Sequence, residues 1–576
     1  MSRTSPAATL FVRTTSTEQP MDNESNTADG PAIADDCAIA DRITPNFQAY
    51  QAPRGHCDYL VQPGLSQTQR LIQENISLAE SYPDELRSIR ESARKQLLQD
   101  ARRYTSAYRD VSFASPAQPG SQSIVMAGHQ PTLFHPGVWF KNFALNRVGE
   151  LSDSIAINLV VDSDVAGVSS IRVPRLDGAS GEFGFSAVPY DRRGGGVPYE
   201  QALIEDRETF DAFDRNVANT LTGIVDDPMV TTMWQFAREA INRCGYAGCA
   251  LAQARHRQEA DLDLQTLEIP QSVVCRGEAF ATFVMGILRD LPRFHDCYNA
   301  SAQFYRQAHG IRSNAHPVPD LGRDGDWYQA PLWVYGNQSP KRRGVWVRLS
   351  ASGSVMEISD RDKRYRKIEA ANLDSADEAF AALASPEFKI RSRALVTTMY
   401  ARMVLSDLFL HGIGGGKYDQ LGDLISRAFW GVRPQHFMVM SATVLLPGHQ
   451  QHPIGRIDDA IARLDRKCRD IEYQPERFAD AGNLPADLID EKRSMLASVP
   501  PKGQRRQWHR RITRLNQSMS NQLQTMRSEL IAQLAELQSQ RRVAAHWNSR
   551  EHSFCIYPLD YLTQAYRGML ETPRHA

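Results

Sequence analysis

The chain has 576 residues, of which 42% are hydrophobic and 23% charged, with a formal net charge of -1. That length exceeds what a single hydrophobic core fills, so about two to four domains are expected. The balanced charge argues against wholesale coating of nucleic acid, and the absence of any run of roughly 18 apolar residues argues against a membrane span.

Residues 1–45 are rich in Ser, Thr, Ala, Asp and Asn and poor in large apolar groups, which predicts a disordered tail. Residues 1–20 also lack the apolar centre of a secretory signal, so a cytoplasmic location is expected. From 68 to 110, Ile72, Ile76 and Ala79, and after Pro83 also Leu86, Ile89, Ala93 and Leu97, recur at helical spacing. Residues 123–127 read as a strand and 138–151 as a helix. Residues 155–161 read as a central parallel strand, apolar except for Asn158. A further strand at 169–173, a loose glycine loop at 194–196, and helices over 199–221, 228–244 and 279–291 follow. Short alternating runs at 328–335, 344–349 and 354–358 predict a β-meander. The period at 390–410 predicts a helix, and 437–445 a buried strand.

The last third carries the clearest periodicity. Ile457, Ile461, Leu464, Cys468 and Ile471 step by four and three, as do Ile512, Leu515, Met519, Leu523, Met526, Leu530, Leu534 and Leu537. Such a seam demands a helical partner, which predicts an antiparallel coiled coil within the chain or a homodimer through it. Lys502, Arg505, Arg506, Arg510, Arg511 and Arg514 form a basic block before the second segment. The block could bind phosphates or RNA, but a solvated helix face paired with acidic neighbours is the expected reading, and nucleic acid is not expected as a partner. The eight cysteines are scattered, with only Cys244 and Cys249 close, and lack zinc-site spacing; reduced thiols are expected.

Three segments concentrate chemistry. In Ala127-Gly-His-Gln-Pro-Thr-Leu-Phe-His-Pro-Gly-Val-Trp139, a strand end, a glycine turn and a helix start are compressed together. Gly128 is expected to turn the backbone near a ligand, with Gln130 and Thr132 alongside. His129 and His135 can exchange protons near neutral pH. The helix start at Gly137, with Lys141 and Asn142 in its first turns, should favour an anion. Asp162 and Asp164 close the next strand and could hold an amino group, a ribose or Mg²⁺. In the third, His411-Gly-Ile-Gly-Gly-Gly-Lys-Tyr-Asp419, Gly414, Gly415, Gly416, Lys417, Tyr418 and Asp419 suggest a backbone-lined pocket without the spacing of a P-loop.

Together Gly128-His-Gln130, Asp162-Ser-Asp164, His411 to Lys417 and Ser441-Ala-Thr443 resemble, in order, the motifs of the putative cysteine-adding enzymes of bacillithiol biosynthesis. The likeness spans roughly residues 65–545. It departs where the family's acidic block has a histidine and where Gly415-Gly-Lys417 replaces Pro-Gly-Glu. The resemblance implies an α/β fold with a Rossmann-like core, a small β-containing insert and a C-terminal antiparallel helical coiled coil. It divides the chain into N-terminal helices and first half-core at 46–270, connecting insert at 271–370, second half-core at 371–455, coiled coil at 456–545 and a return segment at 546–576.

The resemblance also implies a carbon–nitrogen ligase-like enzyme that joins an amino acid to the amine of a small sugar-like or thiol-precursor substrate. His129, His135, Asp162, Asp164, His411 and Lys417 are the expected catalytic groups, with no metal ligand among them. The cofactor stays open, ATP with Mg²⁺ being compatible with a phosphate site. The alternatives are a catalytically degenerate interaction protein using its coiled coil, or a nucleotide- or RNA-binding enzyme.

Overall fold

A computed structural model of the protein describes residues 47–114, 122–176, 183–192, 195–350, 355–369, 380–381 and 383–571. The tail expected at 1–45 lies outside the described residues, as does part of the 194–196 loop. The architecture is mixed α/β, with parallel and antiparallel pairing in one main sheet.

That sheet contains β1 (Tyr59–Gln62), β2 (Ile124–His129), β3 (Ile155–Val160), β4 (Leu267–Pro270), β5 (Leu408–His411) and β6 (Phe437–Ala442). Their spatial order is β1-β6-β5-β2-β3-β4. Only β1 runs antiparallel, against β6. The others are parallel, so their carboxyl ends share one edge. The central strands are short apolar runs buried on both faces, which suits a parallel sheet covered by helices on each side.

The alternation of β2 assigns its two coverings. Val125 and Ala127 face one core with Trp139, Phe140, Phe143 and Leu145 of α1 (Pro136–Ser152). Ile124 and Met126 face the other core with Ile89, Ala93 and Leu97 of the Asp84–Ser106 helix. α2 (Ala247–Ala260) lies with the first core, and α3 (Ile413–Trp430) contributes Leu421, Leu424 and Ile425 to the second. The chain leaves β2 through α1 toward β3 and leaves β5 through α3 toward β6. Strand order therefore reverses between β5 and β2, opening a crevice at their carboxyl ends.

The expected 390–410 helix is instead a strand at Lys389–Ser392, a helix at Ala394–Tyr400, a π-helical turn at Ala401–Leu405 and then β5. Apolar side chains here are needed on every side, so their spacing carries no single period. The 199–221 expectation shortens to a helix at Arg207–Thr220 after a 3-10 turn. The meander is present as an antiparallel sheet, and Lys389–Ser392 completes its far edge against Trp327–Tyr335. The expected 169–173 strand is Ser170–Leu176, paired with Phe183–Pro189 in a separate hairpin.

Helix Ile454–Tyr473 packs antiparallel to the nearly continuous pair Arg505–Gln522 and Gln524–Trp547. Ser520 Oγ donates to the Ile471 carbonyl (2.6 Å), Asn516 Nδ2 to that of Tyr473 (3.1 Å), and Arg541 pairs with Asp458. Between them the chain forms a further helix, Ala486–Ala497, against Arg505–Gln522. Buried Lys492 donates to the Tyr473 carbonyl (3.0 Å), closing the tip.

Asp407, just before β5, clamps the Asp84–Ser106 helix to the sheet. It accepts from the Ile124 amide (2.8 Å) and pairs with Arg90 (2.6 Å) and Arg94 (2.9 Å). Asp407→Ala leaves two largely buried guanidiniums without their counter-charge, and a loss of about 3 kcal/mol in urea unfolding is expected. A change below about 1 kcal/mol would show that solvent replaces the clamp.

Candidate functional site

The crevice between β5 and β2 holds a cleft of about 270 Å³. His135, Gly137, Val138 and Lys141 of α1 and its cap line one wall, and Gly412, Ile413 and Gly414 at the start of α3 the other. Ser441 from β6 and Arg550 and Glu551 from the return segment complete it. Two helix N-termini thus open into one space, each offering backbone N–H groups and the positive end of a dipole. α3 begins at Gly412 without a side-chain cap, and an added Cβ at Gly412 or Gly414 would meet nothing within 4 Å. Space is therefore open beside the first turn of α3, which carries no side-chain cap.

Gly137 has a strict steric role. A Cβ there would collide with the Ala442 carbonyl oxygen and lie 2.8 Å from Arg550 Nη2. Its absence lets the start of α1 press against the end of β6. Arg550 Nη2 donates to Ser441 Oγ (3.0 Å), while its Nε is buried without a hydrogen-bond partner. A neighbouring groove of about 580 Å³ shares Ala52, Ile413 and Arg550 with the cleft and adds Arg54 and Lys417. Cations outnumber the single carboxylate of Glu551, so the joined space favours anions.

Lys141 is the buried cation of the cleft. Its Nζ donates to the Gly128 carbonyl (2.6 Å), and burial, aided by Arg255, pulls its ammonium down to about 7. A proton thus joins or leaves this amine near neutrality. His135 acts first as the cap of α1, its Nδ1 accepting from the Gly137 amide (3.1 Å). Burial lowers its pKa, opposed by Glu551 and reinforced by Arg550.

Other expected residues are placed differently. Gly128 makes no turn: it continues β2, and a Cβ there would find ordinary contacts of 3.4 Å or more. His129 is buried beneath the cleft. Its Nε2 meets Asn142 Oδ1 (3.1 Å), whose amide donates to Glu259 (2.6 Å). Desolvation, with Arg255 and Lys141 nearby, pushes its pKa far down, so neutral His129 positions Asn142. His411 is likewise buried, with Nε2 against Asp419 (2.9 Å). Asp419 is enclosed because it faces inward from the second turn of α3, where Arg402 (2.6 Å) neutralises it. Gly415 and Gly416 serve packing, since a Cβ would strike His411 Nδ1 at the first (2.8 Å) and Val439 Cγ2 at the second. Tyr418 is half-buried and its hydroxyl pushed up to about 12 by burial. Thr132 is half-buried, its amide donating to the Gln130 carbonyl (2.9 Å).

The two aspartates diverge. Asp164 accepts from Gln130 Nε2 (3.0 Å) and pairs with Arg342 (3.0 Å) near the surface. Asp162 points into a second cleft of about 310 Å³ at the ends of β3 and β4, with Ser272, Cys249, Glu200 and Lys389. The Ser272 amide donates to it (2.8 Å), yet burial and Glu200 raise its carboxyl to about 7. His129, Asp162 and His411 therefore do not face one cavity. Cys244 and Cys249 are free thiols.

Sequence reasoning missed Arg550 and Arg54, which reach the crevice only through folding of distant segments. Among the described residues no group of three or more His, Cys, Asp or Glu is arranged to hold a metal, and no helix is long and apolar enough to cross a membrane. No protein-family model and no curated protein matches the chain.

Two outcomes test the cleft. Binding of pyrophosphate, measured by calorimetry, should tighten as pH falls from 8 to 6 because Lys141 regains its proton; Lys141→Met should flatten this dependence. Gly137→Ala should weaken the same binding at least tenfold by forcing α1 away from Ala442, and unchanged affinity would remove the helix start from the site.

Proposed function

We propose that the protein is a ligase-like enzyme that binds an anionic, phosphate- or carboxylate-bearing substrate in the crevice between β5 and β2. The supporting observation is the convergence of two helix starts with Lys141 and Arg550 on one cleft at a reversal of strand order. In this reading the main sheet with α1 and α3 is a Rossmann-like core, and the long helical hairpin is a coiled-coil arm. The resemblance to cysteine-adding enzymes supplies the reaction class: a carboxyl group is joined to an amine as an amide, with loss of water coupled to cleavage of a phosphoanhydride.

ATP is compatible with the donor set, since helix-start N–H groups and guanidinium suit phosphate oxygens. Mg²⁺ would be carried by those phosphates, supplying charge neutralisation. Arg550 and the amides of Ile413 and Gly414 would bind and orient the anion, and so favour charge developing on it. Lys141, poised near neutrality, is the group suited to take a proton at its Nζ from the substrate's ammonium, leaving the free amine whose lone pair attacks the activated carboxyl carbon. His129 and His411 are positioning residues here: one holds Asn142, the other holds Asp419.

The reading is tested by melting shifts with ATP, ADP and pyrophosphate, followed by mass spectrometry of reactions offering amino acids and amino sugars. Arg550→Gln should reduce the ligand-induced shift, and Lys141→Met should slow product formation at least a hundredfold while the unliganded fold persists. Absence of both nucleotide-dependent shift and product across the panel would refute the assignment.

A further inference from the structure

The cleft leaves unexplained the basic block at the start of the Arg505–Gln522 helix. No Asp or Glu occurs between Glu491 and Glu529. The fold sorts this segment into two faces. Ile512, Leu515, Asn516 and Met519 are buried against the hairpin. Arg505, Arg506, His509, Arg510, Thr513 and Arg514 line a shallow open groove on the other side, all of them exposed. The expectation of acidic pairing holds for Arg511, which meets Glu491 (2.5 Å). Among the described residues, no acidic side chain pairs with Arg506, Arg510 or Arg514.

Those three arginines form an i, i+4, i+8 row, with steps of about 6 Å along the helix. Like charges at this spacing destabilise a helix. Arg505 and Arg506 also occupy the first turn, where the dipole disfavours cations and where no acidic residue or side-chain cap is present. Both features are unfavourable within the isolated fold and become favourable beside a line of negative charges. A nucleic-acid strand presents one phosphate per roughly 3.4 Å of axis, so three or four fall along the row. Arginine's planar fork suits such oxygens. The apolar side of this helix is already committed to the hairpin, so it has no apolar face to insert into a bilayer.

We infer that the Arg506–Arg510–Arg514 face is a docking surface for the phosphate backbone of a nucleic acid, bound without base readout. The inference is independent of the crevice and its chemistry. It takes up the alternative reading of the basic block, phosphate or RNA binding, in place of the acid-paired face expected from the sequence.

The test uses the full chain and fluorescence anisotropy with a labelled single-stranded RNA and a labelled DNA duplex, titrated at several salt concentrations. Arg506→Gln/Arg510→Gln/Arg514→Gln should weaken binding at least tenfold at low salt. It should also make the log–log salt slope shallower by roughly 2–3, about one unit of contact per arginine removed. Arg477→Gln/Arg493→Gln/Arg541→Gln, which removes the same charge from acid-paired positions, should change binding much less. Melting temperatures of the first variant should equal or exceed the parent's, since it relieves repulsion. The relative affinity for RNA and DNA identifies which strand is preferred. The inference is overturned by equal loss in both triple variants, or by no nucleic-acid binding in the parent. It is also overturned if the arginine row instead drives binding to phosphatidylserine vesicles, or salt-sensitive self-association seen by light scattering.

Discussion

The buried guanidinium of Arg255 is the interaction on which the crevice depends. It pairs with Glu259 (2.7 Å) and Glu268, tying α2 to the edge strand β4. Glu259 in turn accepts from Trp139 Nε1 (2.8 Å) and from Asn142, fixing the inner side of α1. Removing this charge from water costs several kcal/mol, so two carboxylates and close hydrogen bonding are needed to offset it. Burial depresses the proton affinity of Lys141 and His129, and the same positive charge adds to that depression. One residue thus holds the first helix of the cleft and reinforces the shift that burial imposes on Lys141, which lines it.

This arrangement explains why a conspicuous motif need not expose its conspicuous residues. Alternation along β2 sends Ala127 and His129 into the α1 core, while Lys141 and Gly137, one helical turn apart, border the open side. His129 then acts through Asn142. Asp162 and Asp164 separate for a similar local reason: the chain leaves β3 in a turn, sending one side chain toward Ser272 and the other toward Gln130.

Much of this is legible in the chain itself. β2, β3 and the helix after β2 are marked by apolar runs and a Pro-Gly start, and Gly137, Lys141 and Gly414 do line the crevice. The hairpin follows from steps of three and four. Periodicity does not resolve the stretch 390–410, where a strand, a short helix, a π-helical turn and another strand are all buried. Nor does spacing locate Arg550, whose approach to Ser441 depends on the whole chain returning across the sheet. The basic block is visible in composition, but its lack of counter-charges depends on which side of the helix the hairpin consumes.

The base of that hairpin is fastened. His452 and Trp547 stack at 4.9 Å with their rings 11° apart, and Asn548 Nδ2 donates to the His452 carbonyl (2.9 Å). Arg550 follows shortly after. The base of the long helical arm and the cleft therefore share one anchored stretch of chain, running from the stacked Trp547 to the guanidinium that contacts Ser441.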